Sequence, residues 1–135
     1  MSLTPKQELT LKKFAEANKH WPQQALDAAI WRVKWALQAL PHQKEPDDGE
    51  YDTFLMLAGR GSGKTHTASH WIGIRAWKYN ETRWLVTAPT SNDIRATCFE
   101  GDSGLLNIIP QSLIRDYNKS LFEITLINGS IIQGI

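Results

Sequence analysis

The fold is decided by Thr53-Phe54-Leu55-Met56-Leu57-Ala58-Gly59-Arg60-Gly61-Ser62-Gly63-Lys64-Thr65. The three glycines allow the backbone to curl until successive N–H groups point at one anion. Lys64 can then reach the β- and γ-phosphates of a nucleotide, and the Thr65 hydroxyl can ligate magnesium. The apolar run 53–57 predicts a strand, and the residues after Lys64 predict a helix, which is the context that such a loop requires. We therefore predict a P-loop that binds a nucleoside triphosphate, although Ala58 replaces the first glycine of the strict pattern.

Composition limits the class of protein. The chain has 135 residues, of which 41% are hydrophobic, and this predicts a folded domain with its own core. The net charge of +1 shows no signature of a free-standing nucleic-acid binder. The single Cys98 suits a reducing compartment, and no apolar run approaches membrane-spanning length. We expect a cytoplasmic protein with no membrane partner.

Two helices are predicted before the loop. Thr4, Pro5 and Gln7 form a capping box with proline in the first turn, which predicts a peripheral, mostly charged helix over 4–19. A second helix is predicted over about 22–40, with Trp31 and Trp35 as core residues. Its spacing also predicts a buried stripe of Leu26, Ile30, Val33, Leu37 and Leu40. The acidic segment 45–52 is expected to be a surface connector.

After the loop, the pattern predicts a helix to about residue 79, a buried strand over 84–88 and a helix from about Ser91. Residues 105–114 allow no assignment. Strands over 122–127 and 130–135 flank Asn128-Gly129, which predicts a type I′ hairpin turn. The alternation of helices and strands predicts an α/β P-loop NTPase fold with a mainly parallel sheet flanked by helices. In this fold, residues 53–58 form the central strand, N-terminal helices precede the sheet, and a C-terminal β-hairpin ends it.

P-loop motors also use an apolar strand ending in Asp, followed by Glu, to place magnesium and activate water. Neither Asp116 nor Glu123 stands in that context. We therefore expect an N-terminal helical segment over 1–40 and the N-terminal part of an ATPase domain over 41–135. This part would bind ATP and hydrolyse it slowly.

Several ordered motifs carry a resemblance to a known family. The run from Gly49 to Thr65, with Arg60 early in the loop, resembles the P-loop region of the large terminase subunits of tailed bacteriophages. The strand exit 85–90, the segment 99–106 and the Asn128-Gly129 hairpin are similar to later segments of that family. Upstream, Ala39-Leu40-Pro41-His42-Gln43 resembles its adenine-side motif, which ends in Gln.

The resemblance implies the ATPase part of a viral DNA-packaging motor that drives DNA into a capsid in the host cell cytoplasm. The implied partners are double-stranded viral DNA, the portal protein, the small terminase subunit and further copies of the chain in a ring. A nuclease domain is expected outside these residues. The implied catalytic residues are Arg60 and Lys64, the implied ligands are ATP and Mg²⁺, and Thr65 is the metal ligand. The implied nucleotide-binding residues are Gln43, Gly59, Arg60, Gly61, Ser62, Gly63, Lys64 and Thr65.

Each assignment has an alternative. Arg60 could stabilise γ-phosphate charge or simply pair with an acidic neighbour at the surface. Gln43 could contact adenine through its amide or be an exposed loop residue. His66 and His70 have the spacing of a zinc pair, but no third ligand accompanies them, which favours surface histidines. At the level of function, a helicase-like DNA-dependent ATPase and a non-hydrolysing ATP-binding assembly protein stay open.

Overall fold

The computed structural model describes residues 2–45, 49 and 51–135, so the predicted acidic connector lies partly outside the described residues. Five α-helices follow in order: α1 Pro5–Ala17, α2 Gln23–Gln38, α3 Lys64–Lys78, α4 Ser91–Asp93 and α5 Leu105–Ile108. A π-helix, Ile94–Phe99, continues α4, and 3₁₀ turns occupy Pro41–Gln43 and Gln111–Leu113. The capping box of α1 is confirmed, since Thr4 Oγ1 accepts the Gln7 N–H and Gln7 Oε1 accepts the Thr4 N–H.

Four strands form one sheet: β1 Arg83–Val86, β2 Ile114–Asn118, β3 Glu123–Leu126 and β4 Ile131–Gly134. Their spatial order is β1-β4-β3-β2. β1 pairs with β4 in parallel, with Arg83 opposite Ile131, whereas β3 pairs antiparallel with both β4 and β2. The described chain is therefore a mixed α/β structure with three α-helices, α1 to α3, before the first strand and a hairpin at its end.

The core lies between this sheet and the helices. It unites buried residues of α2, α3, the π-helix, α5, β3 and β4, while α1 contributes no buried residue and is peripheral, as predicted. Trp31 is buried and Trp35 is half-buried. The stripe predicted on α2 is wrong beyond Leu26, because Ile30, Val33 and Leu37 are only half-buried and Leu40 is 47% exposed. The helix ends at Gln38, so Leu40 lies outside it in extended backbone, and the buried residues of α2 are Leu26, Ala28 and Trp31.

The prediction of a mainly parallel sheet is wrong. The connections 119–122 and 127–130 are too short for a crossover and can join only antiparallel neighbours. At the first connection, Asn118 Oδ1 accepts the N–H groups of Ser120 and Leu121 and so turns the chain between β2 and β3. Only β1, which reaches β4 from a distant part of the chain, forms a parallel pair.

The predicted central strand over 53–58 is also wrong. These residues have no regular secondary structure, and Leu55 and Leu57 are 71% and 85% exposed. Phe54 and Met56 instead line a cavity against Thr67, Ala68 and Trp71 of α3. An apolar run indicates the propensity for a strand, but a strand also needs a neighbour to pair with, and residues 53–58 pair with none of the four described strands.

The hairpin between β3 and β4 also holds the end of α3. Gly129 has φ of 86°, but Asn128 does not have positive φ, so the predicted type I′ turn is replaced by a three-residue loop closed between Leu126 and Ser130. The Asn128 side-chain amide donates to the Ala76 and Trp77 carbonyl oxygens at 2.9 and 3.0 Å. These carbonyls lie in the last turn of α3, where the helix itself offers no donor.

We expect Asn128→Ala to lower the free energy of unfolding by about 1–3 kcal/mol, because it leaves two part-buried carbonyl groups without their donor. Chemical denaturation measures the change. Asn92→Ala is the matched control, since the Asn92 amide oxygen only accepts a bond from Arg95 at the surface. Equal stability of the two variants would contradict the capping role.

Candidate functional site

Two glycines of the loop have a left-handed backbone conformation. Gly61 and Gly63 have φ of 73° and 82°, in the left-handed region that favours glycine. Gly63 is the N-cap of α3, and the Ser62 N–H bonds the Gly59 carbonyl at 3.4 Å within the loop. The first N–H groups of α3 have no acceptor inside the helix. The loop therefore presents donors and the positive end of a 15-residue helix at one place.

Lys64 lies at the loop itself. Its exposed ammonium donates to the carbonyl oxygens of Ala58 and Gly59 at 2.7 and 2.8 Å. Both acceptors are neutral backbone carbonyl oxygens at the surface. A charged phosphate would offer the ammonium stronger hydrogen bonds in their place.

The 3₁₀ turn Pro41–Gln43 packs on this loop, although twenty residues separate them. Gln43 is only 3% exposed, and its Oε1 accepts the Leu40 N–H at 2.9 Å. Its Nε2 lies beside Gly63, where a Cβ on residue 63 would come within 2.5 Å of it. The His42 ring Nε2 lies 3.0 Å from the Ser62 carbonyl oxygen. The structure thus brings Gln43 to the loop, and the alternative of an exposed loop glutamine is wrong.

The remaining predicted residues lie around the same loop. Gly59 and Arg60 are exposed and Thr65 is half-buried at the start of α3. Among residues 2–45, 49 and 51–135, no ion pair to Arg60 is present. In the same part of the chain, the buried Ser62 Oγ has no hydrogen-bond partner, which is uncommon for a buried hydroxyl. His42 was missed by sequence reasoning, and its only signal is its place beside Gln43.

The expectation that His66 and His70 are surface residues is wrong for His70, which is 5% exposed. Its ring stacks on Trp35 of α2, with centroids 4.0 Å apart and planes 11° from parallel. Its Nδ1 lies 2.9 Å from the His66 carbonyl oxygen. Burial lowers the pKa of His70 to about 4, with smaller effects from His66 and Lys34, and burial also lowers the pKa of His66. His70 is therefore a neutral packing residue that joins α2 to α3.

Two further features concern ligands and membranes. Within the described part of the chain, no three His, Cys, Asp or Glu residues come together as a metal site. No helix in that part is both long and apolar enough to span a bilayer.

Comparison with known proteins found no matching family model, no matching curated protein and no matching solved structure.

We expect alanine substitutions at the three loop glycines to destabilise the chain in the order 59, 61, 63. Gly59 lies outside the left-handed region and has open space, so Gly59→Ala is the control. Gly61→Ala adds only backbone strain of about 1–2 kcal/mol. Gly63→Ala adds the same strain and displaces the Gln43 amide, which we expect to cost up to about 1 kcal/mol more, because the amide must give up its bond to the Leu40 N–H. Thermal and chemical unfolding measure the series.

Gln43→Ala tests the source of the extra cost. In that background Gly63→Ala should lose its excess over Gly61→Ala, because the clashing amide is gone. An excess that persists would show that Gln43 does not pack on the loop.

We expect acid to destabilise the packing of α2 on α3. The folded pKa of His70 lies below its unfolded value of 6.5, so the unfolded chain binds more protons and stability falls as pH falls from 6.5 toward 4. The loss attributable to His70 by pH 4.5 is about 2–3 kcal/mol. Denaturation of the wild type and His70→Phe across this range measures it, with the exposed His20→Phe as control. Parallel pH profiles for the wild type and His70→Phe would contradict the assignment.

Proposed function

We propose that this chain is the ATP-binding part of a viral DNA-packaging motor of the large terminase type. The observation that carries the proposal is the docking of Gln43 and His42 on the glycine loop. A bare glycine turn gives no reason for an amide from a distant part of the sequence to be buried against its last glycine, Gly63. A nucleotide site does, because the base and the phosphates must be bound by groups at a fixed separation.

The residues of the loop fit a triphosphate with magnesium. Left-handed glycines, an uncapped helix start and the Lys64 ammonium supply positive charge and donors for the phosphates. Thr65 offers the hydroxyl that P-loops use as a magnesium ligand, and a bound Mg²⁺ would neutralise phosphate charge. Gln43 would bind adenine with the edge of its amide and so favour ATP.

Arg60 would contact the γ-phosphate of a bound nucleotide. It is exposed at the tip of the loop, and the described residues offer it no acidic partner. A guanidinium in this place can stabilise charge that develops on the transferred phosphoryl group, and in a motor this contact would couple nucleotide state to movement.

The motor context extends the proposal to partners. Double-stranded viral DNA would be the cargo, the portal protein the docking site, the small terminase subunit the selector of DNA, and a homo-oligomeric ring the working form in the host cytoplasm. Support for this context comes from the ordered motifs of residues 39–135. A helicase-like ATPase would have the same loop and the same strand exit. An assay of the activity would distinguish the two functions, because a packaging motor moves double-stranded DNA and a helicase separates its strands.

Slow hydrolysis by this chain stays a prediction. Of the acidic residues considered for catalysis, Asp116 lies on the edge strand β2 and Glu123 on the neighbouring β3. Both strands are separated from β1 by β4. These positions give no support to either residue as the group that activates water at the loop.

We expect Lys64→Ala to weaken binding of Mg·ATP by about 10- to 100-fold, because a charge-assisted bond to the phosphates is lost. The fold should persist, since the exposed Lys64 side chain bonds only carbonyls of its own loop. Calorimetric titration measures affinity, and circular dichroism measures the fold. Lys12→Ala, on the exposed surface of α1, is the matched control. A folded Lys64→Ala variant with wild-type affinity would show that this is not a working P-loop.

A further inference from the structure

A cavity of about 350 Å³ opens between α2, the segment 43–45 and α3. Three aromatic side chains, Trp35, Phe54 and Trp71, contribute to its lining, and Gln43 and Glu45 lie on the same wall. The size and the mainly apolar lining are those of small-molecule sites. If Gln43 contacts a base, this half-open cavity, which Gln43 lines, is the space available for it.

Three side chains join that wall to α3. Arg75 of α3 donates through Nη2 to Glu45 Oε2 and to the Tyr51 hydroxyl, both at 3.0 Å. The Tyr51 hydroxyl in turn donates to Glu45 Oε2 at 2.7 Å. The guanidinium also lies 4.7 Å from the centre of the Trp71 ring. We call Glu45, Tyr51 and Arg75 the clasp.

The clasp fixes both sides of the connector between the 3₁₀ turn and the loop. Glu45 lies two residues after Gln43, and Tyr51 begins the stretch that leads to the glycines. Neither residue belongs to a helix or strand, so backbone hydrogen bonding of a regular element does not hold them. Their side-chain contacts with α3 do, and α3 is the same helix whose first turn forms the phosphate end of the site.

We propose that Glu45, Tyr51 and Arg75 are positioning residues for nucleobase discrimination. By holding Glu45 and Tyr51 on α3, the clasp keeps Gln43 at a set distance from the loop, so that an adenine and a triphosphate are bound together. The inference rests on the proposed function and assigns to it a group of residues that makes no contact with the phosphates. Partial exposure of the Glu45 side chain, at 36%, makes the ion pair a weak contributor to overall stability. Its loss should therefore displace the wall without unfolding the chain.

The test compares three ligands, each with Mg²⁺: ATP, GTP and inorganic tripolyphosphate. Tyr51→Phe removes the hydroxyl that donates to Glu45 and accepts from Arg75 and Trp71, and it leaves the direct Arg75–Glu45 bond in place. Glu45→Ala removes the carboxylate that both other members of the clasp contact. Glu16→Ala is the matched control, because Glu16 pairs with Lys19 on the exposed face of α1. We expect both clasp variants to lower the ATP-to-GTP affinity ratio about three- to tenfold, the worth of one or two hydrogen bonds. Tripolyphosphate affinity should stay unchanged.

Other outcomes overturn the inference in distinguishable ways. Equal affinity of the wild-type chain for ATP and GTP would contradict the positioning role. An ATP-to-GTP affinity ratio that is unchanged in the clasp variants would contradict it as well. Equal losses for ATP and tripolyphosphate would show that the clasp is only structural. In each of these cases Lys64→Ala still weakens all three ligands if the proposed function holds. If Lys64→Ala weakens none, the proposed function fails and this inference with it. Should Glu45→Ala melt below the assay temperature, Tyr51→Phe decides the question.

Discussion

One close contact organises this chain: the Gln43 amide lies where the side chain of residue 63 would begin. Glycine at that position satisfies two demands, since its φ of 82° starts α3 and its missing Cβ admits the amide. The 3₁₀ turn, the glycine loop and the first turn of α3 therefore meet at one point. Every residue assigned to the nucleotide site belongs to the 3₁₀ turn, the glycine loop or the first turn of α3.

Two sets of contacts to α3 support the junction. The first set holds α2, the helix that precedes the 3₁₀ turn: Trp35 stacks on His70 of α3, and Trp31 is buried. On the side of the connector, Arg75 holds Glu45 and Tyr51. The end of α3 is in turn bonded to the β3–β4 hairpin through Asn128. Thus α3 links the candidate site at its first turn to the sheet at its last turn.

Sequence reasoning succeeded where a signal is local. The capping box at Thr4, the boundaries of α3 and the hairpin around Gly129 depend on residues a few positions apart, whose conformational preferences decide the outcome. It failed where the outcome depends on partners from elsewhere. The run 53–58 has the composition of a strand but no neighbour, and the direction of the sheet follows from short connections rather than from strand composition. The burial of His70 could not be predicted from the sequence, because the ring that covers it, Trp35, belongs to another helix. Gln43 was assigned to the adenine side by resemblance, which stays a prediction, and its burial against Gly63 could be seen only in the structure.

The central claim is that residues 58–65 and Gln43 form one nucleotide site. Nuclear magnetic resonance of the isotopically labelled chain tests it directly, with Mg·ATP and Mg·tripolyphosphate added in separate titrations. The account predicts saturable shifts of the Gly61–Thr65 backbone amides with both ligands, and shifts of the Gln43 side-chain amide that depend on the adenosine part. Saturable binding that leaves the loop amides unchanged, or no saturable binding of ATP, would contradict the account.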